Sequence, residues 1–214
     1  LANENVPGPK GTDVFDNPPP PDPFPVTGGG ALPTPGGIEL KAGDRFITKV
    51  IKDWDPANPR TTPKIQVSGK TLVEVGKKLD AMPGEWGQGG GSLLNDPIAP
   101  GNGDVEVTLH GNLVLRIVEW TDYASGSTKG KANWDAMIEK LKIHENKHLS
   151  NAVAAADQCA KDLIGKEILE MPGIVTKANA ALFAVQKALD DATDHGAKAG
   201  VPFGDVNLDT DESP

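Results

Sequence analysis

Lys142-Ile143-His144-Glu145-Asn146-Lys147-His148 is the stretch on which the reading of this chain turns. Two imidazoles four residues apart on a helix leave the same face one turn on, so both reach one metal ion, and the Glu beside the first can hold a water. This is the His-Glu-x-x-His pattern of zincins. Around it, Trp134, Met137, Ile138, Leu141, Glu145, His148, Ala152, Ala155, Cys159 and Leu163 follow at three- and four-residue steps. That spacing predicts one long helix from about Asn133 to Ile164 with a single inward stripe. A carboxylate and an imidazole on an apolar stripe need partners, because burying them unpaired is costly. A bound cation satisfies both, His148 directly and Glu145 through water.

A catalytic zinc site usually takes three protein ligands and a water, so a third ligand must come from elsewhere. Gly165 ends the first helix, Met171-Pro172-Gly173 reads as a turn, and a second stripe runs through Val175, Ala178, Leu182, Val185, Leu189 and Ala192. Helices joined this way lie antiparallel, and residues equidistant from the connection become neighbours. Facing positions then pair His144 with His195 and His148 with Asp191, to within about a turn, ~4 residues. His195 is the expected third ligand, and Asp190, Asp191 and Asp194 stand as carboxylate substitutes.

Four stretches together resemble a bacterial family of predicted secreted zinc-dependent proteases, otherwise catalogued as a domain of unknown function. They are Lys64 to Leu72, the segment ending at Trp120, His144-Glu145-x-x-His148, and Asp190-x-x-Thr193-x-His195-Gly196-x-x-x-Gly200. The resemblance covers about Thr62 to Gly200. It implies a metallopeptidase with His144, His148 and His195 on zinc and Glu145 as the base. Leu189 stands where an aromatic residue is expected before Asp190.

The chain has 214 residues, a formal net charge of -9 and a pI near 4.9, a balance that argues against nucleic acid or an anionic membrane surface as the main partner. No run approaches the ~18 apolar residues of a membrane span. Leu1 in place of Met is expected of a processed or trimmed chain, and the resemblance implies a secreted or periplasmic location. Cys159, the one cysteine, can form no internal disulfide and reads as a small buried apolar residue.

Residues 1–43 carry Pro18 to Pro21 and Gly28 to Gly30, a composition of extended or disordered arms. Such an arm serves as a linker, or lies along a protein partner or the cleft, where Asp13, Asp16 or Asp22 could block a zinc and Phe15 and Phe24 could anchor. Residues 44–203 are expected to form the domain, and 204–214 a solvated acidic tail. Arg45 to Lys52 and Lys64 to Val67 read as strands, and Thr71-x-x-Glu74 as a capping box opening a short helix. Gly84 to Gly103 reads as mobile or as a rim of the cleft. Asp104 to His110 and Asn112 to Thr121 read as a hairpin turned at His110-Gly111-Asn112. Such a hairpin would offer an edge where a polypeptide substrate docks as an added strand. His110 itself reads as a surface residue. Tyr123, the only tyrosine, is the candidate donor to the oxyanion. Asp190, with help from Thr193, is a candidate acceptor for a ligand's second N–H.

The expected architecture is α+β and zincin-like: a small, mostly antiparallel sheet on the long motif helix, closed by a C-terminal antiparallel helix hairpin. The expected function is zinc-dependent peptide-bond hydrolysis with Glu145 as general base. Two rivals are a non-catalytic protein that Zn2+ stabilises, whose proline-rich arm engages a partner, and a metal-free interaction module whose histidines are core residues.

Overall fold

The structure, a computed structural model, describes residues 5–6, 45–98, 101 and 103–212. The expectations for Asp13, Phe15, Asp16, Asp22 and Phe24 of the arm lie outside them. The fold is α+β. In chain order its elements are β1 (Asn5–Val6), β2 (Ile47–Asp53), β3 (Gln66–Val67), α1 (Leu72–Asp80), β4 (Gly87–Asn95), β5 (Val105–Ile117), β6 (Glu119–Trp120), α2 (Thr128–Leu163), α3 (Met171–Thr193) and β7 (Leu208–Asp209).

The main sheet is mixed, in the order β2-β5-β4, where a mostly antiparallel one was expected. β4 and β5 pair antiparallel from Gly87↔Ile117 to Asn95↔Leu109, while β2 lies parallel to β5, from Ile47↔Val105 to Asp53↔His110. The expected turn at His110-Gly111-Asn112 is absent, because β5 runs through it as one strand of 13 residues. Gly111 is there for contact: a Cβ on it would sit 2.8 Å from Trp54 Cβ. The hairpin's second arm comes from the glycine-rich run itself, read as mobile or as a rim of the cleft: it forms strand β4, whose Gly89 lines the pocket described below. His110 bridges two carboxylates at the surface, Nδ1 2.6 Å from Asp53 and Nε2 3.0 Å from Asp96. Hydrogen bonds to Asp96 and Asp53 raise its pKa above the ordinary imidazole value.

Helix α2 spans 36 residues and starts a turn earlier than expected, because Ser127 serves as its N-cap and accepts the Gly130 N–H at 2.9 Å. One apolar cluster, with Trp86, Trp120, Trp134, Met137 and Leu141, packs at its N-terminal end, and a second, with Ile47, Leu109, Cys159, Leu163 and Met171, at its other end. Burial pushes the Cys159 thiol up to about 11, as suits an inert core residue. Met171-Pro172-Gly173 is the first turn of α3, with Pro172 in the position where a missing N–H costs nothing. The segment Ile168–Thr193 is, by length and composition, long and apolar enough to cross a membrane, which the sequence reading did not anticipate. In the fold it carries Gln186, Asp190 and Thr193 on its buried face.

The acidic C-terminal run belongs to the domain and is no solvated tail. Val206 and Leu208 are fully buried in the first cluster, and β7 pairs with β1. Glu212 ties two helix starts together, accepting the Leu72 N–H of α1 at 3.1 Å and the Ser127 hydroxyl at 2.9 Å. Glu212→Ala is expected to cost about 1–2 kcal/mol in urea denaturation, the usual loss for a helix cap.

Candidate metal centre

Between the two apolar clusters, α2 turns His144, Glu145 and His148 inward at 3–5% exposure. Each histidine is anchored by Nδ1. His144 Nδ1–H donates to Phe203 O at 2.9 Å and His148 Nδ1–H to Gln186 Oε1 at 2.6 Å. Gln186 Nε2 donates in turn to His148 O at 3.0 Å, which settles the orientation of its amide. Both acceptors are oxygens without a proton, so the neutral rings carry hydrogen on Nδ1 and present bare Nε2 atoms to the space between them.

Those two Nε2 atoms are 3.1 Å apart, and Asp190 Oδ1 lies 2.9 Å from that of His148 and 3.5 Å from that of His144. Three lone-pair atoms thus converge in a buried place with no proton of their own to separate them. Only a cation or added protons can hold them there. The space beside them is about 10 Å³, room for one ion or water. His144, His148 and Asp190 are the group that could hold a metal ion among the described residues.

Glu145 occupies the inner wall under β4. The sheet comes so close that a Cβ on Gly89 would lie 2.0 Å from Glu145 O, and one on Gly87 would lie 2.5 Å from Glu145 Oε1. This contact explains the glycines that read as flexibility in the sequence. The Gly89 backbone N–H donates to the Glu145 carboxylate. Burial nevertheless pushes Glu145 up to about 7, against the pull of His144 and His148. Glu85, from the segment that leads into β4, is likewise raised to about 7 by burial and by the charges of Glu145 and Asp190. Burial works to raise Asp190 too, but hydrogen bonds from His144 and His148 hold it below the usual carboxylate range. For His148 burial works downward, and the Asp190 hydrogen bond and charge prevail and raise it.

In the metal-free protein, then, protons stand in for the cation. A raised histidine stabilises the fold below its unfolded value and loses that contribution as pH rises through its folded value. Raised carboxyls act in the same sense, their neutral forms being favoured until pH passes about 7. Chelator-stripped protein is therefore expected to lose several degrees of melting temperature between about pH 5 and 8. Metal-loaded protein should gain over the same interval, because its ligands bind deprotonated. Calorimetry of both forms checks this; parallel curves would contradict it.

The third position belongs to Asp190, held as a substitute in the sequence reading, and His195 lies outside the group of three. Over the C-terminal half of α3 the buried face shifts by about one residue from the apolar stripe: Val175 and Leu182 are buried as expected, but Gln186, Asp190 and Thr193 follow them inward, and Val185 is 50% exposed. That shift puts Asp190 in place of Asp191 opposite His148. Asp191 pairs with Lys187 at the surface at 2.7 Å, and Asp194 is the exposed left-handed cap of α3. The helix ends there, so His195 leaves its path, and its Nδ1 sits 3.9 Å from Glu85 Oε1 at the side of the same pocket. Thr193 Oγ1 donates to Leu189 O at 2.8 Å and accepts the Gly196 N–H at 3.1 Å, so it shapes the turn and touches no histidine ring nitrogen. Gly196 has φ 89° and backs onto His144, whose Nδ1 would be 3.4 Å from an added Cβ. Tyr123 lies away from the pocket. Its hydroxyl donates to Asp135 at 2.7 Å and its ring packs edge-on to Trp120, so it is not placed to meet an oxyanion.

Residues 101–196 match the model of a family described as a bacterial protein of unknown function (DUF922). No curated protein and no solved structure matches the chain. The DUF922 match takes in β5, α2, α3 and the turn to Gly196, and with them His144, Glu145, His148, Asp190 and His195. It leaves out β4, Glu85 and the segment carrying Phe203. Sequence reasoning missed Glu85, Gly89 and Gln186. Of these only Gln186 left a signal, lying four residues before Asp190, on the same helix face.

Proposed function

We propose that this chain is a zinc-dependent peptide-bond hydrolase, with His144, His148 and Asp190 as the metal ligands and Glu145 as general base. The observation that carries this reading is the pair of histidines whose Nδ1 protons are already committed, which leaves three bare donor atoms facing one another. Zinc with ligands at ~2.0–2.1 Å in a tetrahedral array keeps them about 3.3 Å apart. The separations of 2.9, 3.1 and 3.5 Å bracket that value. Two imidazoles and a carboxylate are a set zinc favours, and three protein ligands in place of four speak for a working site over a structural one.

When bound, zinc supplies Lewis acidity, polarising a carbonyl and making water acidic enough to lose its proton near neutral pH. Glu145, buried beside the two rings, would accept that proton and return it to the departing amine. The Gly89 N–H fixes the carboxylate's direction. Phe203 and Gln186 hold the two rings at their outer nitrogens, so that neither turns away.

The test is to measure zinc per chain in purified protein and hydrolysis of fluorescent casein before and after chelation. About one zinc per chain is expected, with activity lost on chelation and restored by zinc. Protein that holds zinc and cleaves no peptide would end the enzymatic reading. Protein purified without metal, and binding none when zinc is added, would end the metal reading as well.

A further inference from the structure

We propose that His195 is the hydrogen-bond donor of this site, directed at the carbonyl oxygen of a bound peptide, and that Glu85 positions it. This rests on the hydrolase reading above. It follows from where the other protons are spent. A carbonyl under attack gains negative charge on oxygen and needs a donor, and besides His144 and His148 the side chains that line this pocket are His195 and the carboxyl groups of Glu85, Glu145 and Asp190. The N–H groups of His144 and His148 are committed to Phe203 and Gln186, and that of Gly89 to Glu145. Among the described residues that line the pocket, only His195 has a side-chain N–H not already given away.

The placement of His195 supports the same role. Its ring and Glu85 are each less than a fifth exposed, with Nδ1 3.9 Å from Glu85 Oε1. That Nδ1 is buried and has no hydrogen-bond partner. At this separation the two are neighbours, short of a hydrogen bond. With Nδ1 confined beside Glu85, the ring's other nitrogen, Nε2, is the one that would carry the N–H offered to a substrate. The backbone holds the ring to the ligand set: His195 N–H donates to Asp190 O at 2.9 Å, and φ at His195 is 51°. Asp190 and the donor therefore share one turn, and movement of one is felt by the other.

The experiment titrates zinc alone into chelator-stripped wild-type protein, His195→Asn and Asp190→Asn, and measures kcat and KM on fluorescent casein for each. Asn is chosen because it tolerates a left-handed backbone; should it fail to fold, His195→Gly, which suits the same φ, takes its place under the same criteria. Expected for His195→Asn is wild-type zinc affinity, kcat lower by about 10²-fold and KM little changed, whereas Asp190→Asn loses zinc. Glu85→Leu should lower kcat to a similar level, and Glu85→Gln, which keeps a polar group of the same size beside Nδ1, should restore part of it. A His195→Asn variant that loses zinc as completely as Asp190→Asn would make His195 a ligand and overturn the proposal. Unchanged kcat in an active wild-type background would overturn it too, leaving the hydrolase reading intact. A wild-type protein that binds zinc and turns nothing over would instead remove that reading, and this role with it.

Discussion

Glu145→Gln is expected to keep about one zinc per chain and to lower peptide hydrolysis by about 10²–10⁴-fold, the contribution of a positioned general base. The replacement is isosteric and retains an oxygen for the Gly89 N–H, so the wall between α2 and β4 should survive. What it removes is the ability to take a proton. The same change takes a carboxylate out of a place where it is 5% exposed and raised to about 7. The metal-stripped variant should therefore melt higher than wild type above pH 7, because the cost of ionising that group in the interior is gone. Lost turnover with gained stability is the signature of a residue kept for chemistry at the expense of the fold. Elemental analysis, casein hydrolysis and calorimetry on one preparation check it. Activity within tenfold of wild type would show that the proton goes elsewhere.

Gly89→Ala is expected to destabilise the domain by about 3 kcal/mol or more, measured by urea denaturation. Its Cβ would lie 2.0 Å from Glu145 O and under 3 Å from two further backbone atoms of the same residue. Backbone cannot swing aside as a side chain does, so β4 must lift from α2. Metal affinity and activity should fall with it, since the strand that aims Glu145 has moved. Gly173→Ala is the control: nothing lies within 4 Å of its added methyl, and it sits in the first turn of α3. There the methyl should stabilise slightly, by roughly 0.5–1 kcal/mol. Equal effects at both positions would mean that the close approach of sheet and helix is not what the glycines serve.

The α+β class and the long helix bearing His144 and His148 were legible because helical periodicity is local and persists over many turns. The antiparallel second helix was legible for the same reason. The shift of its C-terminal half was not: hydrophobicity picks Val185 and Leu189 as the inner face, while the buried His148 is met by Gln186 and Asp190. A functional site is where a buried face stops being apolar, so the rule that locates a core misleads at that point. The parallel pairing of β2 with β5 joins residues some 60 positions apart and leaves no local mark. Glycines that serve contact look, in a sequence, like glycines that serve flexibility. The same blindness applied to residues 205–212, where Val206 and Leu208 are two apolar side chains among charges and yet are fully buried.

Phe203 O, the acceptor that orients His144, is contributed by a segment that follows both long helices. Chains are made from the N-terminus, so the histidines of α2 leave the ribosome well before the carbonyl that fixes one of them, and before the Val206 and Leu208 that seat that segment. During synthesis the His144 ring thus lacks its anchor until both long helices have been made and the segment after α3 has docked.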